Sequence, residues 1–160
     1  MEEIAGAAGV SHMTFFRHFP TKESVVMDDP YDPLIADAVF RQPQGLPALE
    51  RVRRALLESW SAVEEPDDES IRLRLSLVAG HSSLRARAWE NNHRTESVIV
   101  EALVSTGVGR LEARVAAGAV LGALTAALID WGEYEGAGSL GGWVRGALEQ
   151  LASNADGGSD

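Results

Sequence analysis

Two stretches of this 160-residue chain set side chains at a spacing that can do chemistry. The first is Glu90-Asn91-Asn92-His93, a Glu-x-x-His unit that puts a carboxylate and an imidazole one helical turn apart. Di-metal four-helix enzymes use such units, but they need two of them and two further carboxylates on facing helices. This chain offers one, so a helical-bundle metal enzyme is the remote reading and a solvated polar turn of a helix the simple one. No Ser–His–Asp order, phosphate loop or dinucleotide loop occurs, so no catalytic residue, metal ligand or cofactor is expected and the chain reads as a non-enzyme. The second stretch is residues 1–22, MEEIAGAAGVSHMTFFRHFPTK. Its chemistry is recognition rather than reaction.

Ile4, Ala5 and Ala8 recur at helical spacing, which predicts a short helix over residues 2–8. Gly9 follows, where a chain leaving a helix often needs positive φ. Ser11 is placed to N-cap a second helix by accepting a hydrogen bond from a backbone N–H near Thr14. That helix is expected to run to Phe19, stopped by Pro20. Small Ala5 lets the two helices approach, with Ile4, Val10 and Phe15 expected to fill the angle between them. Two short helices joined by a Gly-containing turn form a DNA-reading unit whose second helix enters the major groove.

The order I-A-x-x-A-G-V-S-x-x-T, then Phe15-Phe16-Arg17-His18-Phe19 and Lys22, closely resembles the N-terminal signature of TetR-like transcriptional repressors. The resemblance covers residues 1 to about 27. It implies that Ser11, His12, Met13 and Thr14 stand at the exposed start of the reading helix. There His12 can bond a base, Met13 can meet a thymine methyl, and Thr14 can touch phosphate or thymine. It places His18 and Lys22 on the DNA backbone. Phe16 departs from the usual Tyr, keeping the packing and losing a phosphate hydrogen bond. The family carries a further helix ahead of this motif, so the head is read here as incomplete. Because Met1 stands where the family has Val, the reading frame is expected to extend upstream. A shortened member that dimerises or binds a small molecule without competent DNA binding is the alternative. Glu2 and Glu3 against Arg17 and Lys22 leave residues 1–22 with no net charge, a weak attraction for phosphate.

The rest of the chain must carry this head. A net charge of −10 excludes a protein that coats nucleic acid with its whole surface, and fits a small reading head on an acidic body. There is no cysteine, hence no disulfide and no thiolate metal site. No signal peptide opens the chain. The longest uncharged run, Val115–Ile129, falls short of the roughly 20 residues that span a bilayer and reads as a buried helix. The expected fold is all-α: a head with its connecting helix over residues 1–29, a helical regulatory and dimerisation domain over 30–152, and a disordered tail over 153–160. Within the domain, helices are expected at Leu34–Phe40, Leu46–Glu64, Asp68–His81, Ser83–Ser105, Arg110–Tyr134 and from Ser139 or Gly141 to Ala152.

Gly118 and Gly122, and Gly142 and Gly146, lie four apart on the last two helices. Glycine inside a helix costs about 1 kcal/mol against alanine, so close helix packing is the reason to tolerate it. The family resemblance implies that these two helices form a four-helix homodimer interface, with Gly118, Gly122, Val120, Leu124, Leu128, Trp143, Ala147 and Leu151 in or near it. It also implies a small-molecule effector held in the body, without a charged anchor and therefore hydrophobic. Trp60, His81, Trp89, His93 and Trp131 are the candidate pocket residues. The function so implied is a ligand-responsive cytoplasmic repressor that binds double-stranded operator DNA as a dimer, with no membrane partner.

Overall fold

The computed structural model describes residues 2–18, 32–62, 68–133 and 138–156. Eight α-helices and no strand lie among them. In chain order they are α1 (Glu2–Ala7), α2 (His12–His18), α3 (Asp32–Arg41), α4 (Ala48–Ser61), α5 (Asp68–Gly80), α6 (Ser82–Ser105), α7 (Arg110–Glu133) and α8 (Leu140–Asp156). The expected connecting helix over residues 21–29, Lys22 with it, falls outside the described residues. The all-α expectation holds, and most helix ends fall within two residues of the sequence reading.

The differences have local causes. Helix α4 starts at Ala48 rather than Leu46 because Pro47 takes the N-cap position, with φ −53° and ψ 146°. His81 is extended, at φ −127° and ψ 121°, and divides α5 from α6. Ser139 opens α8, its hydroxyl accepting the Gly142 N–H at 3.2 Å. Helix α8 continues past Ala152 to Asp156.

Helix α7 is the hub of the body and packs against α4, α6 and α8. Helix α3 lies on α4 and α6, and α5 on α6 and α7. The core joins Val39, Val52, Ile99, Val100, Leu103, Val120, Trp131, Val144 and Leu148, with small Ala48, Ala55, Ala113, Ala116 and Ala117 letting backbones come close. The buried-helix reading of α7 is right for one face only. Leu111, Val115 and Ile129 are 77%, 61% and 55% exposed, and Gly118 and Gly122 lie on the same outward stripe. Helix α7 is apolar on both faces, and by length and composition alone it could cross a membrane.

One charged side chain sits in this core. Arg51 of α4 is 1% exposed, and no carboxylate among the described residues pairs with it. Its guanidinium donates to the Thr106 hydroxyl at 2.9 Å and to the Val39 carbonyl at 3.5 Å. Thr106 caps the C-terminus of α6 and donates on to the Leu103 carbonyl at 2.7 Å. Val39 lies in the last turn of α3. The cation therefore meets the negative ends of two helices, which offset part of its desolvation. The Arg51 Nε has no partner.

At the start of α4, Glu50 accepts two hydrogen bonds from Arg53, both 2.7 Å, and one from Arg54 at 2.5 Å. The bidentate Arg53 contact, against the opposing pull of partial burial and with help from Arg54, lowers the Glu50 pKa from 4.5 to about 2.

Arg51→Ala is expected to lower unfolding free energy by about 3 kcal/mol in urea titrations, because the helix-end acceptors lose a donor and a cavity opens. Arg51→Met should cost less, since it fills the space and removes a charge whose Nε is unsatisfied; equal losses for the two would refute this account. Glu50 has a depressed folded-state pKa, so its contribution is complete above pH 4.5 and fades as the pH falls toward 2. Glu50→Gln should therefore cost about 1 kcal/mol at neutral pH and nothing below pH 2, measured by thermal melts across that range.

Candidate nucleic-acid interface

The head is built from local bonds. Gly9 takes φ 68°, in the left-handed region that glycine enters without a Cβ penalty. The Val10 N–H reaches the Ala5 carbonyl at 3.2 Å and the Gly9 N–H the Gly6 carbonyl at 3.2 Å, a Schellman closure of α1. Two residues later Ser11 starts α2. Its hydroxyl accepts the Thr14 N–H at 3.2 Å and lies 2.9 Å from the Thr14 hydroxyl, and its carbonyl accepts the Phe15 N–H at 2.9 Å. The predicted cap and turn are both present.

These bonds aim the side chains. Phe15 is 5% exposed and Ala5 2%, so the underside of α2 rests on α1. Met13 is 83% exposed, and His12 and Ser11 are also on the surface. Thr14 is half-buried, its hydroxyl engaged with Ser11. Arg17 and His18 are exposed at the other end of the helix. The Phe16 side chain and Lys22 lie outside what is described. Ile4 and Val10 do not fill the inter-helix angle as expected: they are 42% and 41% exposed. A six- and a seven-residue helix enclose only the wedge that Ala5 and Phe15 occupy.

Two groups stand out that residue spacing did not flag. Arg17 is the sole arginine before Arg41, a signal available in the sequence. Glu2 places its carboxylate 3.9 Å from the His12 Nε2, setting an acid beside the proposed reading helix. Nothing in the sequence pattern pairs those two positions, because the bent hairpin creates their contact.

The body candidates are scattered. Trp131 is fully buried, its indole N–H donating to the Gly138 carbonyl at 2.8 Å. Trp60 packs half-buried against the core. His81 is exposed and bonds the Leu77 carbonyl at 2.9 Å. Trp89, 71% exposed, stacks on His93 along the outside of α6, their centroids 5.5 Å apart. None of the five is among the residues that line the cleft between α7 and α8. Glu90 pairs with Arg87 at 2.9 Å and His93 with Glu96 at 3.4 Å, so the Glu-x-x-His unit is divided between two surface ion pairs. No group of three or more His, Cys, Asp or Glu that could hold a metal occurs among the described residues.

The proposed interface residues also divide. Val120 faces the core of its own chain, fully buried, and has no surface to offer a second copy. Leu124 and Leu128 are half-buried against that core. Gly118 and Gly122 face outward, with open space where a Cβ would sit. Trp143, Ala147 and Leu151 line an open cleft of about 860 Å³ between α7 and α8, together with Ala123, Ala126 and Gly146.

A capped two-helix reading head followed by an all-helical body is the architecture of a DNA-binding regulator. Two family models match the chain: "Bacterial regulatory proteins, tetR family" over residues 1–27, and "MftR C-terminal domain" over residues 46–156. The chain belongs to the TetR family and is a transcriptional regulator of that kind, a family whose members are in general not enzymes. A search of curated proteins found no match.

Gly9→Ala tests the turn. Forcing a Cβ into the left-handed region costs about 1 kcal/mol, and amide exchange should quicken over residues 2–18 while α6 and α7 are unchanged. Unchanged exchange in the head would show that the Gly9 conformation is not needed.

Proposed function

We propose that this regulator is a ligand-responsive repressor that binds double-stranded operator DNA as a homodimer through α2. The observation that carries the reading is the arrangement of α2 itself. Its buried underside, Phe15 on Ala5, fixes an N-terminal end from which His12 and Met13 project into solvent. Side chains at that end of a recognition helix meet base edges in the major groove. Ser11, Thr14, Arg17, His18 and Lys22 are assigned to positioning on phosphate and sugar, which sets register rather than sequence, and Phe16 to the packing beneath them. The DNA partner places the protein in the cytoplasm, with no membrane role.

The homodimer is supported by the outward stripe of α7 and the cleft beside α8. Leu111, Val115, Gly118 and Gly122 recur at three- and four-residue intervals, with Ile129 two turns further on, a seam on which a second helix can pack. An apolar, glycine-lined helix face on an acidic body suits a second copy, in which the same face meets itself about a two-fold axis. The effector is a small hydrophobic molecule held in the body. No enzymatic step and no cofactor are assigned.

One observation favours a weaker DNA binder. The head leaves Ile4 and Val10 exposed and holds Glu2 beside His12. A chain that dimerises and binds effector without competent DNA binding would have these features.

Fluorescence anisotropy with DNA flanking the protein's own gene separates the readings. The repressor reading expects salt-sensitive, sequence-selective binding, with His12→Ala losing about 1–3 kcal/mol of selectivity but little non-specific affinity. Ala126→Arg, on the exposed face, should give monomers in sedimentation runs and lose tight operator binding. A wild-type dimer that binds no DNA would instead establish the second reading.

A further inference from the structure

Helix α5 is the one body helix with no fully buried side chain among its described residues. Leu73 is 64% exposed and Leu77 38%. Ile71 and Leu75 rest on the core only in part, with Leu75 seated over Gly132 of α7, where an added Cβ would come within 3.1 Å of its Cδ1. Area burial alone holds such a helix weakly, and weakly held helices are the ones that open locally.

A specific clasp supplements that packing. The Arg72 guanidinium lies 4.1 Å from the centroid of the Trp131 ring and donates to the Trp131 carbonyl at 2.8 Å. A cation over indole and at the C-terminal end of a helix gains from both the ring quadrupole and the helix dipole. The other edge of Trp131 is also committed: its indole N–H holds the Gly138 carbonyl at 2.8 Å. Gly138 in turn carries the Trp143 indole against its backbone, since a Cβ there would lie 3.0 Å from the Trp143 Nε1. Gly138 and Trp143 both line the cleft between α7 and α8. Arg72, Trp131, Gly138 and Trp143 thus form an unbroken line of contacts from the loosest helix of the body to the wall of that cleft.

We propose that Arg72 and Trp131 couple the seating of α5 to the placement of Gly138 and Trp143, so that lifting α5 loosens the cleft. The functional consequence rests on the proposed self-association face: anything that displaces α5, an effector included, weakens the pairing of subunits. Arg72 is a positioning residue here, acting on the cleft through Trp131. The direction is reciprocal. A second copy seated in the cleft steadies Gly138 and Trp143, and so holds α5 down. The physical warrant for coupling is an element with two arrangements that both sites bias, which α5, seated or lifted, would be.

Amide exchange by mass spectrometry and sedimentation on the full chain test this. Arg72→Met keeps the length of the side chain and removes the cation and the donors. It is expected to quicken exchange at residues 140–144, at the far end of the contact line, as well as over 68–80. It should also raise the subunit dissociation constant on the order of tenfold. Trp131→Phe keeps a ring for Arg72 and removes the indole N–H, so it should quicken residues 140–144 more than α5. Arg72→Lys retains a cation and a donor and should restore most of the protection; it also carries the test if Arg72→Met does not fold. Quickening confined to residues 68–80 in these variants overturns the proposal. If the wild-type chain does not self-associate, the dimer reading fails, while the exchange at residues 140–144 still decides whether the clasp couples.

Discussion

A buried cation without a carboxylate constrains the body of this protein. Arg51 can be buried at 1% exposure only where carbonyl and hydroxyl acceptors converge on it. Here they come from the closing turns of two helices distant in sequence, α3 through Val39 and α6 through Thr106. For both to reach one guanidinium, α3 must end beside α4 and α6 must stop where it does. The stop is made by Gly107 at φ 92°, whose N–H closes on the Val104 carbonyl at 2.9 Å. The turn then releases α7 back across α4, which puts Val120 against Val52 and Leu103 in one core. The arginine does little for net stability, given its unpaired Nε. Its effect is on which helix ends may meet.

What was legible in the sequence followed from distance along the chain. The Gly9 turn, the Ser11 cap and the α2 start depend on residues within five positions of one another, and each stands where local rules put it. Helix existence was legible for the same reason. Burial was less so. Counting apolar residues on α4 selects Val52 and Leu56, which are buried, and Leu49, Leu57 and Trp60, which are half-buried, but passes over the equally deep Ala48, Arg51 and Ala55. Small and charged residues carry no hydrophobic signal, and only the approach of α3, α7 and α8 decides which face is inner. Val120, which the family resemblance put in or near a subunit interface, faces inward, because α7 is apolar on both faces and its composition does not say which one its own chain covers. The contact of Glu2 with His12 and the Arg72–Trp131 clasp were invisible for the same reason: each joins two helices whose relative placement no local pattern encodes.

Head and body are therefore built on different principles. The head is a chain of short-range hydrogen bonds with a small apolar wedge, His12 and Met13 projecting on the outside. The body is a network in which α7 meets α4, α6 and α8, and polar groups such as Arg51, Arg72 and Trp131 set geometry where apolar packing alone would permit several.

The order of contacts in the body has a consequence for synthesis. Helix α3 closes on α6, and α4 on α7 and α8, so the first helices of the body pair with its last. As the chain leaves the ribosome, α1 and α2 can form their own contact early. Helices α3 and α4 reach their full packing, over Val39, Val52 and Leu56, only once the segment up to about residue 156 has emerged. Loop closure over so many residues slows the step that hides them. The contact between α1 and α2 is thus closed over a few residues of chain, while the body depends on pairings that span about a hundred.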